Sequence, residues 1–282
     1  MNRLPEKGTA VITGASSGIG ALYAQRLARR GYDLILVARS SQRLDTLAAR
    51  LEAETLSMVE PITADLCDAA DLRRVENILA TDSTIGMLVN NAGMGMHAPL
   101  MDSDIDSMQQ MIALNVTALT RLSHAATTAF VNRGAGVIIN ISSIAAVAPE
   151  LLNSVYGATK AYVLAFSQSL RHELRGTGVQ VQVVLPGAVA TAFWEHAGKP
   201  LDDLPPQIAM SGGDLVDAAL AGLDLGEFVT IPSLPEIDDW LEFEAARLAL
   251  GPNLLRARPA VRYLAGFDCG VVTTASNSSC NP

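Results

Sequence analysis

Thr9-Ala-Val-Ile-Thr-Gly-Ala-Ser-Ser-Gly-Ile-Gly20 is the stretch on which the reading of this chain turns. Thr9–Thr13 is short, apolar and β-branched, as a buried strand is. From Gly20 to Arg30 apolar residues recur at helical spacing, and Gly31 stands where a helix end favours glycine. Gly14, Gly18 and Gly20 join the two. Gly14 permits a tight turn, Gly18 lets a pyrophosphate approach the backbone, and Gly20 lets the helix pack close to the sheet. The helix start then offers unpaired N–H groups to the anion. The spacing is G-x-x-x-G-x-G rather than G-x-G-x-x-G. Three glycines also make an ordinary turn, and the strand before and helix after them favour the phosphate-binding one.

The same alternation continues outward. Leu34–Ala38, Met58–Thr63, Met87–Asn90, Val137–Ser142 and Val179–Leu185 read as buried strands, leucine-rich or β-branched, with little polar alternation. Helical patterns fill the gaps: Ser41–Glu54, Asp68–Thr81, Asp102–Asn132 and Ser154–Arg175. The fold class is α/β, a doubly wound parallel sheet of Rossmann type with helices on both faces. Ligands of such sheets bind outside the carboxyl ends of the strands. After Leu185, prolines and acids interrupt the pattern, and 192–212 reads as a mobile loop or short helices, a lid over the site. Gly213–Leu225 predicts a helix, Glu227–Ile231 a last strand and Asp238–Leu250 a helix that begins on acids. One domain is expected over 1–265, with 266–282 as a flexible tail.

The composition excludes several functions. With 49% hydrophobic and 17% charged residues, the chain can bury a large core. A net charge of -9 argues against nucleic acid as partner. No apolar run reaches the roughly 18 residues of a membrane span, and no signal core precedes Thr9. Cys67, Cys269 and Cys280 form neither a disulfide framework nor a metal cluster. The expected location is the cytoplasm. His97, His124, His172 and His196 have no ligand spacing that suggests a metal; His97 and His196 fall in loops near the expected site. From Glu195 to Glu244 there are twelve acids and one base, Lys199, which reads as a solvated surface.

The second strand bears on the cofactor. A fold that prefers NAD places an acid at this strand's end to hold the ribose 2′-OH. Here the end is Ala38-Arg39-Ser40, and Asp33 stands at the opposite end. The fork of Arg39 suits a 2′-phosphate, which predicts NADP(H).

Further motifs stand at the ends of later strands. These are Asp65, Asn90-Asn-Ala-Gly93, Asn115 in the long helix, Ser143, Tyr156-x-x-x-Lys160 and Pro186-Gly187. With the glycine turn, their order and spacing over about residues 7–191 resemble the short-chain dehydrogenase/reductase family. The resemblance implies hydride transfer between a nicotinamide and a carbonyl or alcohol, with Asn115, Ser143, Tyr156 and Lys160 as the chemical set. Tyr156 would be the acid/base, and Lys160, one helical turn on, would lower its pKa and hold the nicotinamide ribose. Ser143 would polarise the substrate oxygen, Ser142 being its rival. Asn115 would hold a water linking Lys160 to solvent; the plainer alternative is a polar residue bonding within its helix. The implied cofactor set is Gly14, Ser16, Ser17, Gly18, Ile19, Gly20, Arg39, Asp65, Leu66, Asn91, Gly93, Tyr156, Lys160, Pro186, Gly187, Val189 and Thr191. Within it Asp65 and Leu66 would meet the adenine, Asn91 and Gly93 the ribose side, and Val189 and Thr191 the carboxamide, with a simple helix cap competing for Thr191.

The residues expected to touch substrate are Met94, Met96, Val147, Leu151, Leu152, Asn153, Ala188, Phe193 and Trp194. That wall suits a small, mostly apolar ketone, aldehyde or secondary alcohol. A thioester-borne substrate is less favoured, because no arginine or lysine other than Lys199 stands ready to pair with it. Competing functions are a dehydratase or epimerase on the same scaffold and a non-catalytic dinucleotide sensor. The two long helices are more apolar than one buried face requires, which predicts a homodimer or homotetramer.

Overall fold

The computed structural model describes residues 7–191, 193–197 and 206–264. Seven parallel strands form one sheet in the order β3-β2-β1-β4-β5-β6-β9. They are β1 (Thr9–Thr13), β2 (Asp33–Ala38), β3 (Val59–Thr63), β4 (Ile85–Asn90), β5 (Gly136–Ile141), β6 (Val179–Val184) and β9 (Val229–Thr230). The connecting helices are α1 (Gly18–Arg29), α2 (Ser41–Glu54), α3 (Ala69–Thr81), α4 (Ile105–Ile112), α5 (Leu119–Arg133), α6 (Ser154–Glu173) and α8 (Gly212–Asp224). The doubly wound sheet is as expected, with strand boundaries moved by one or two residues.

The sheet explains why its strands read as unbroken apolar runs. Ala10, Ile12, Leu34 and Leu36 point into a core shared with α1, α2 and α8. Their neighbours Val11, Ile35 and Val37 point into a core shared with α3, α5 and α6. Both faces are covered, so alternate residues differ in direction but not in polarity. The chain order reverses between β1 and β4, and the carboxyl ends there form the crevice. At the end of α1, Gly31 takes φ +87°. Its N–H reaches Ala28 O at 2.9 Å and that of Tyr32 reaches Leu27 O at 3.1 Å, a Schellman cap.

One expectation is corrected. The predicted helix Asp102–Asn132 is broken: a 3-10 turn at Leu100–Asp102, then α4, a π-helical turn at Ala113–Ala118, and α5. Asp104 caps α4 by accepting from Ser107 N at 2.8 Å, which starts the helix after residue 102. Residues 192–212 hold short elements among the described residues. Within them lie α7 (Phe193–His196), a 3-10 turn at Pro206–Ile208 and the strand β8 (Ala209–Ser211), which pairs in parallel with β7 (Ala188–Ala190). Residues 192 and 198–205 are outside the described residues. The chain divides into two compact units, Met1–Ser233 and Leu234–Pro282. The second unit holds α9 (Ile237–Ala249), in which the Trp240 and Phe243 rings lie 5.4 Å apart, and α10 (Gly251–Leu254). The expected tail at 266–282 lies outside the described residues. Among the described residues no helix is long and apolar enough to cross a membrane.

A polar ladder runs through the second core. Asn90 and Asn140 are register partners on β4 and β5. Asn90 Nδ2 donates to Asn140 Oδ1 and to Ser123 Oγ of α5, both at 2.9 Å. Asn140 Nδ2 donates to Ser167 Oγ of α6 at 3.0 Å. Two strands and two helices are thereby tied beneath the crevice. Asn140→Ala removes the acceptor of one buried Asn90 amide hydrogen and the donor to the Ser167 hydroxyl oxygen, at a cost of roughly 1–3 kcal/mol. Urea denaturation should show that loss with an unchanged slope; a variant as stable as the parent would show that the ladder contributes nothing.

Candidate active site

The site is built at the ends of β1, β4, β5 and β6. Ser142 and Ser143 follow β5, and strand geometry sends neighbouring side chains opposite ways. Ser142 Oγ donates to Lys160 O of α6 at 2.8 Å, so its hydroxyl is occupied. Ser143 Oγ accepts from Ala145 N at 3.1 Å. It donates over a long distance to Pro186 O, at 3.5 Å. Of the two rivals, Ser143 alone has a hydroxyl proton available to a ligand, and it lies beside Tyr156.

Helix α6 carries Tyr156 and Lys160 on one face. Asn153 starts that helix: its Oδ1 accepts from Val155 N at 2.9 Å and from Tyr156 N at 3.4 Å. Its Nδ2 donates to Ala98 O at 2.6 Å and to Ser103 Oγ at 3.2 Å. Every arm of this amide is used, so Asn153 is a cap and a clamp rather than a substrate contact. Thr159 Oγ1 donates to Tyr156 O at 2.8 Å and accepts from Asn115 Nδ2 at 3.1 Å. Asn115 is buried in the π-helical turn, a distortion frequently found at functional sites. Its side chain also grips Met94 from both sides, with Nδ2 to Met94 O at 2.9 Å and Met94 N to Oδ1 at 3.0 Å. The plainer expectation, bonding within its own helix, is not what Asn115 does: it joins the loop after β4 to α6. A Cβ on Gly93 would stand 3.2 Å from Asn115 Oδ1 and 3.5 Å from Lys160 Nζ, so Gly93 lines the same point.

The electrostatics differ from expectation. Burial pushes the Tyr156 phenol up to about 12, and the Ser143 hydroxyl pulls it partly back. Burial also lowers the Lys160 ammonium to about 8. Lys160 was expected to make the phenol acidic. Instead Nζ donates to Ile141 O at 3.0 Å and lies 5.8 Å from the ring centroid. In the protein alone, removal of the phenol from water dominates.

The glycine turn has the geometry its spacing implied, with one change of role. Gly14 and Gly18 take φ +65° and +54°, where a side chain is strained. A Cβ on Gly20 would lie 2.6 Å from Asn91 Nδ2, so Gly20 makes room for the turn itself rather than for the sheet. Asn91 Nδ2 donates to Thr13 O at 2.9 Å and to Gly14 O at 3.3 Å. Asn91, expected beside a ribose, braces the turn. Thr13, which opens the glycine motif, had been given no role in the site, yet its Oγ1 accepts from Asn91 N and Ala92 N, both at 3.0 Å. Nothing in the spacing shows that such a hydroxyl faces the neighbouring strand. Ser17 precedes α1 without a side-chain cap bond, which leaves the first N–H groups of α1 facing the mouth, beside Ser16 and Ile19.

The remaining positions lie around this turn. Arg39 is exposed at the end of β2 and makes no hydrogen bond or ion pair among the described residues. Asp33 is at the other end, accepting from Met58 N at 2.8 Å. Asp65 Oδ1 accepts from Cys67 N at 2.9 Å, and Leu66 beside it is buried. Pro186 O accepts from Ile144 N, and Gly187 follows β6. Val189 O, expected near a carboxamide, is taken by Trp194 Nε1 at 2.9 Å. Thr191 Oγ1 accepts from Phe193 N at 3.4 Å, as the helix-cap alternative requires, and its Cγ2 faces Gly18.

On the open side, Met94, Met96, Leu152 and Phe193 pack around Tyr156. The rings of Phe193 and Tyr156 lie 5.9 Å apart. Trp194, expected in this wall, is buried with its indole spent on Val189; Val147 and Leu151 are largely exposed. His97 is exposed, and among the described residues no group of His, Cys, Asp or Glu could hold a metal.

The pattern of the short chain dehydrogenases matches residues 8–201. A very-long-chain 3-oxoacyl-CoA reductase-B of Danio rerio is 35% identical over 70% of this chain, and the match spans 64% of that protein, just under two thirds of its length. A short-chain dehydrogenase from Sphingobium yanoikuyae, solved in complex with NADPH, is 48% identical, with TM-score 0.88 over 91% of this chain and 100% of its own. The bulky-bulky ketone specific alcohol dehydrogenase from Comamonas testosteroni is 46% identical, with TM-score 0.84 over 91% of this chain and 98% of its own. With the glycine turn, Ser143, Tyr156 and Lys160 gathered at one crevice, the chain belongs to the short-chain dehydrogenase family.

Proposed function

We propose that this protein is an NADP(H)-dependent oxidoreductase that moves a hydride between the nicotinamide and the carbonyl, or secondary alcohol, of an apolar substrate. The observation that carries the reading is the convergence of the Ser143 hydroxyl, the Tyr156 phenol and the Lys160 ammonium, beside a glycine turn whose helix N–H groups lack a cap. The Sphingobium relative's NADPH and the Comamonas relative's ketone specificity point the same way.

The residues present fit such a cofactor. Gly14 and Gly18 form a bare backbone turn, and the start of α1 would hold the pyrophosphate between Ser16, Ser17, Ile19 and Gly20. Arg39, unpaired and exposed, would hold a 2′-phosphate. Asp65 keeps Oδ2 for the adenine end, with Leu66 below it. Gly93 and Lys160 would line the ribose, and Pro186, Gly187 and Thr191 the nicotinamide end. Asn91 and Val189 would act by holding the walls. When bound, the cofactor supplies or accepts the hydride.

The chain's own residues handle the proton. With its pKa raised, Tyr156 keeps its proton at neutral pH and can give it to a carbonyl oxygen during reduction. Ser143 exchanges its long bond to Pro186 for that oxygen. In oxidation the phenol must lose the proton, and the Lys160 charge favours that state. Asn115 is a positioning residue that holds Met94 and Thr159; the water it was expected to hold stays a proposal. Met94, Met96, Leu152 and Phe193 present no charge, which suits a ketone with bulky apolar groups. Ala188, at the start of β7, would reach the substrate from the side of β6. A homodimer or homotetramer through α5 and α6 would cover the half-exposed Val131 and Tyr162, and a cytoplasmic location fits the composition.

Three measurements test this reading. Tyr156→Phe should lower the rate of ketone reduction by roughly 10²–10⁴-fold while NADPH still binds by fluorescence; equal turnover overturns the proton role. Arg39→Ala should reduce the preference for NADPH over NADH by roughly tenfold or more, since one charged bond to the phosphate is lost; an unchanged ratio of kcat/KM removes Arg39 from that role. The third concerns Lys160. Its folded pKa of about 8 is below the unfolded value of about 10.4, so the unfolded chain binds more protons between those limits. Its contribution to stability is therefore full above the unfolded pKa and lost as pH falls through 8. Cofactor-free parent protein should gain stability toward urea from pH 8 to 10 relative to Lys160→Met; parallel curves would show that the ammonium is not desolvated.

A further inference from the structure

Three consecutive residues at the end of β5 each meet the Tyr156-x-x-x-Lys160 pair of α6. Ile141 O accepts from Lys160 Nζ at 3.0 Å. Ser142 Oγ donates to the backbone oxygen of the same lysine at 2.8 Å. The Ser143 hydroxyl bonds the Tyr156 phenol. The first and third of these bonds belong to groups that act in the proton transfer. The second joins two backbone-anchored points and touches no reacting atom.

Ser142 is a rigid donor. Its own N–H remains in the sheet, donating to Val184 O of β6 at 2.8 Å, and the residue is 3% exposed. A mid-helix carbonyl has two lone pairs and spends one on its own helix. Ser142 takes the other at Lys160. Tyr156 O is held in the same way by Thr159 Oγ1 at 2.8 Å, which Asn115 fixes in turn. The carbonyls of both chemical residues are therefore gripped by hydroxyls, one from β5 and one tied to the π-helical turn. A buried serine must bond something, and a helix carbonyl is an ordinary choice. Ser57, before β3, does just that, with Oγ donating to Ala28 O at 3.2 Å. Ser142 differs in that its two neighbours in sequence hold the ammonium and the phenol. A shift of α6 along β5 changes all three bonds at once.

We infer that Ser142 is a positioning residue, which sets the register of α6 against β5 so that the Ser143 hydroxyl, the Tyr156 phenol and the Lys160 ammonium meet; this rests on the oxidoreductase reading above. Losing the Ser142 bond has two effects of one sign. The phenol loses part of the Ser143 bond that favours its ionised form, and the Lys160 charge that favours the same form moves away. Both make Tyr156 harder to deprotonate, which burdens alcohol oxidation. The apolar wall of Met94, Met96, Leu152 and Phe193 is built by other residues, so substrate binding changes little.

The test follows oxidation of an apolar secondary alcohol with NADP+ across pH, using the full chain. Ser142→Ala should lower kcat by roughly tenfold or more, as misplaced groups do, with KM for the alcohol within about twofold. The pH at which kcat reaches half its plateau should rise by roughly 0.5–1 pH unit, the worth of one hydrogen bond. Ser142→Cys keeps the volume but gives only a weak S–H donor, and should move the midpoint the same way. Ser142→Thr keeps a hydroxyl and should recover the parental midpoint. Ser57→Ala removes the same kind of buried bond at the amino ends of the strands and should leave the midpoint alone. A parental midpoint in both Ser142→Ala and Ser142→Cys overturns the inference. So does an equal movement in Ser57→Ala, or a Ser142→Thr variant no better than Ser142→Ala. If Tyr156→Phe is inactive while Ser142→Ala matches the parent, the oxidoreductase reading stands and the positioning role alone fails. Parental turnover by Tyr156→Phe would remove the phenol from the reaction, and the role of Ser142 with it.

Discussion

The site depends on an ammonium buried beneath a phenol with one backbone carbonyl as its hydrogen-bond acceptor. Lys160 Nζ reaches Ile141 O at 3.0 Å, and no carboxylate pairs with it among the described residues. Burying a charge without a counterion is unfavourable, and the depressed pKa of this lysine records that. The raised pKa of Tyr156 records the same dry environment from the other side. Burial disfavours the charged form of each group, so both respond to a ligand that brings its own polar atoms. That is the kind of perturbation by which functional sites are recognised.

Holding such groups in place requires a rigid surround, and the chain builds it from amides and hydroxyls. Asn115 ties the loop after β4 to α6. Asn153 ties the start of α6 to the same loop, and Asn91 ties β4 to the glycine turn. The ladder of Asn90, Asn140, Ser123 and Ser167 locks the strands and helices one layer below. Polar groups this deep are tolerated because nearly all of them are paired; where one would be left alone it would cost a full desolvation penalty. The π-helical turn at Ala113–Ala118 belongs to this frame. It lies between α4 and α5 and carries Asn115, which bonds Met94 and Thr159.

Some of this was legible beforehand. Apolar strands covered on both faces carry a strong signal, so β1 and the exact span of α2 were readable. The order of the motifs brought Ser143, Tyr156 and Lys160 together before any coordinate did. The misses have a shared cause. Asn153 and Trp194 were assigned to the substrate wall because they stand near the site in sequence, but their bonds go to Ala98, Ser103 and Val189. β8 was missed because Ala209–Ser211 carries no strand pattern and exists only through its pairing with β7.

Local order along the chain settled the fold class and the strand-end location of the crevice, since these follow from periodicity and from turns between elements; the chemical set was an expectation that the family resemblance implied. Four things needed the folded molecule: which of Ser142 and Ser143 keeps a hydroxyl proton to offer, the partners of Asn91 and Asn115, the direction of the Tyr156 shift, and the break in the long helix. Each depends on groups many residues away that meet only when the elements pack. Desolvation in particular belongs to no residue, because it is produced by everything that surrounds a side chain and excludes water from it.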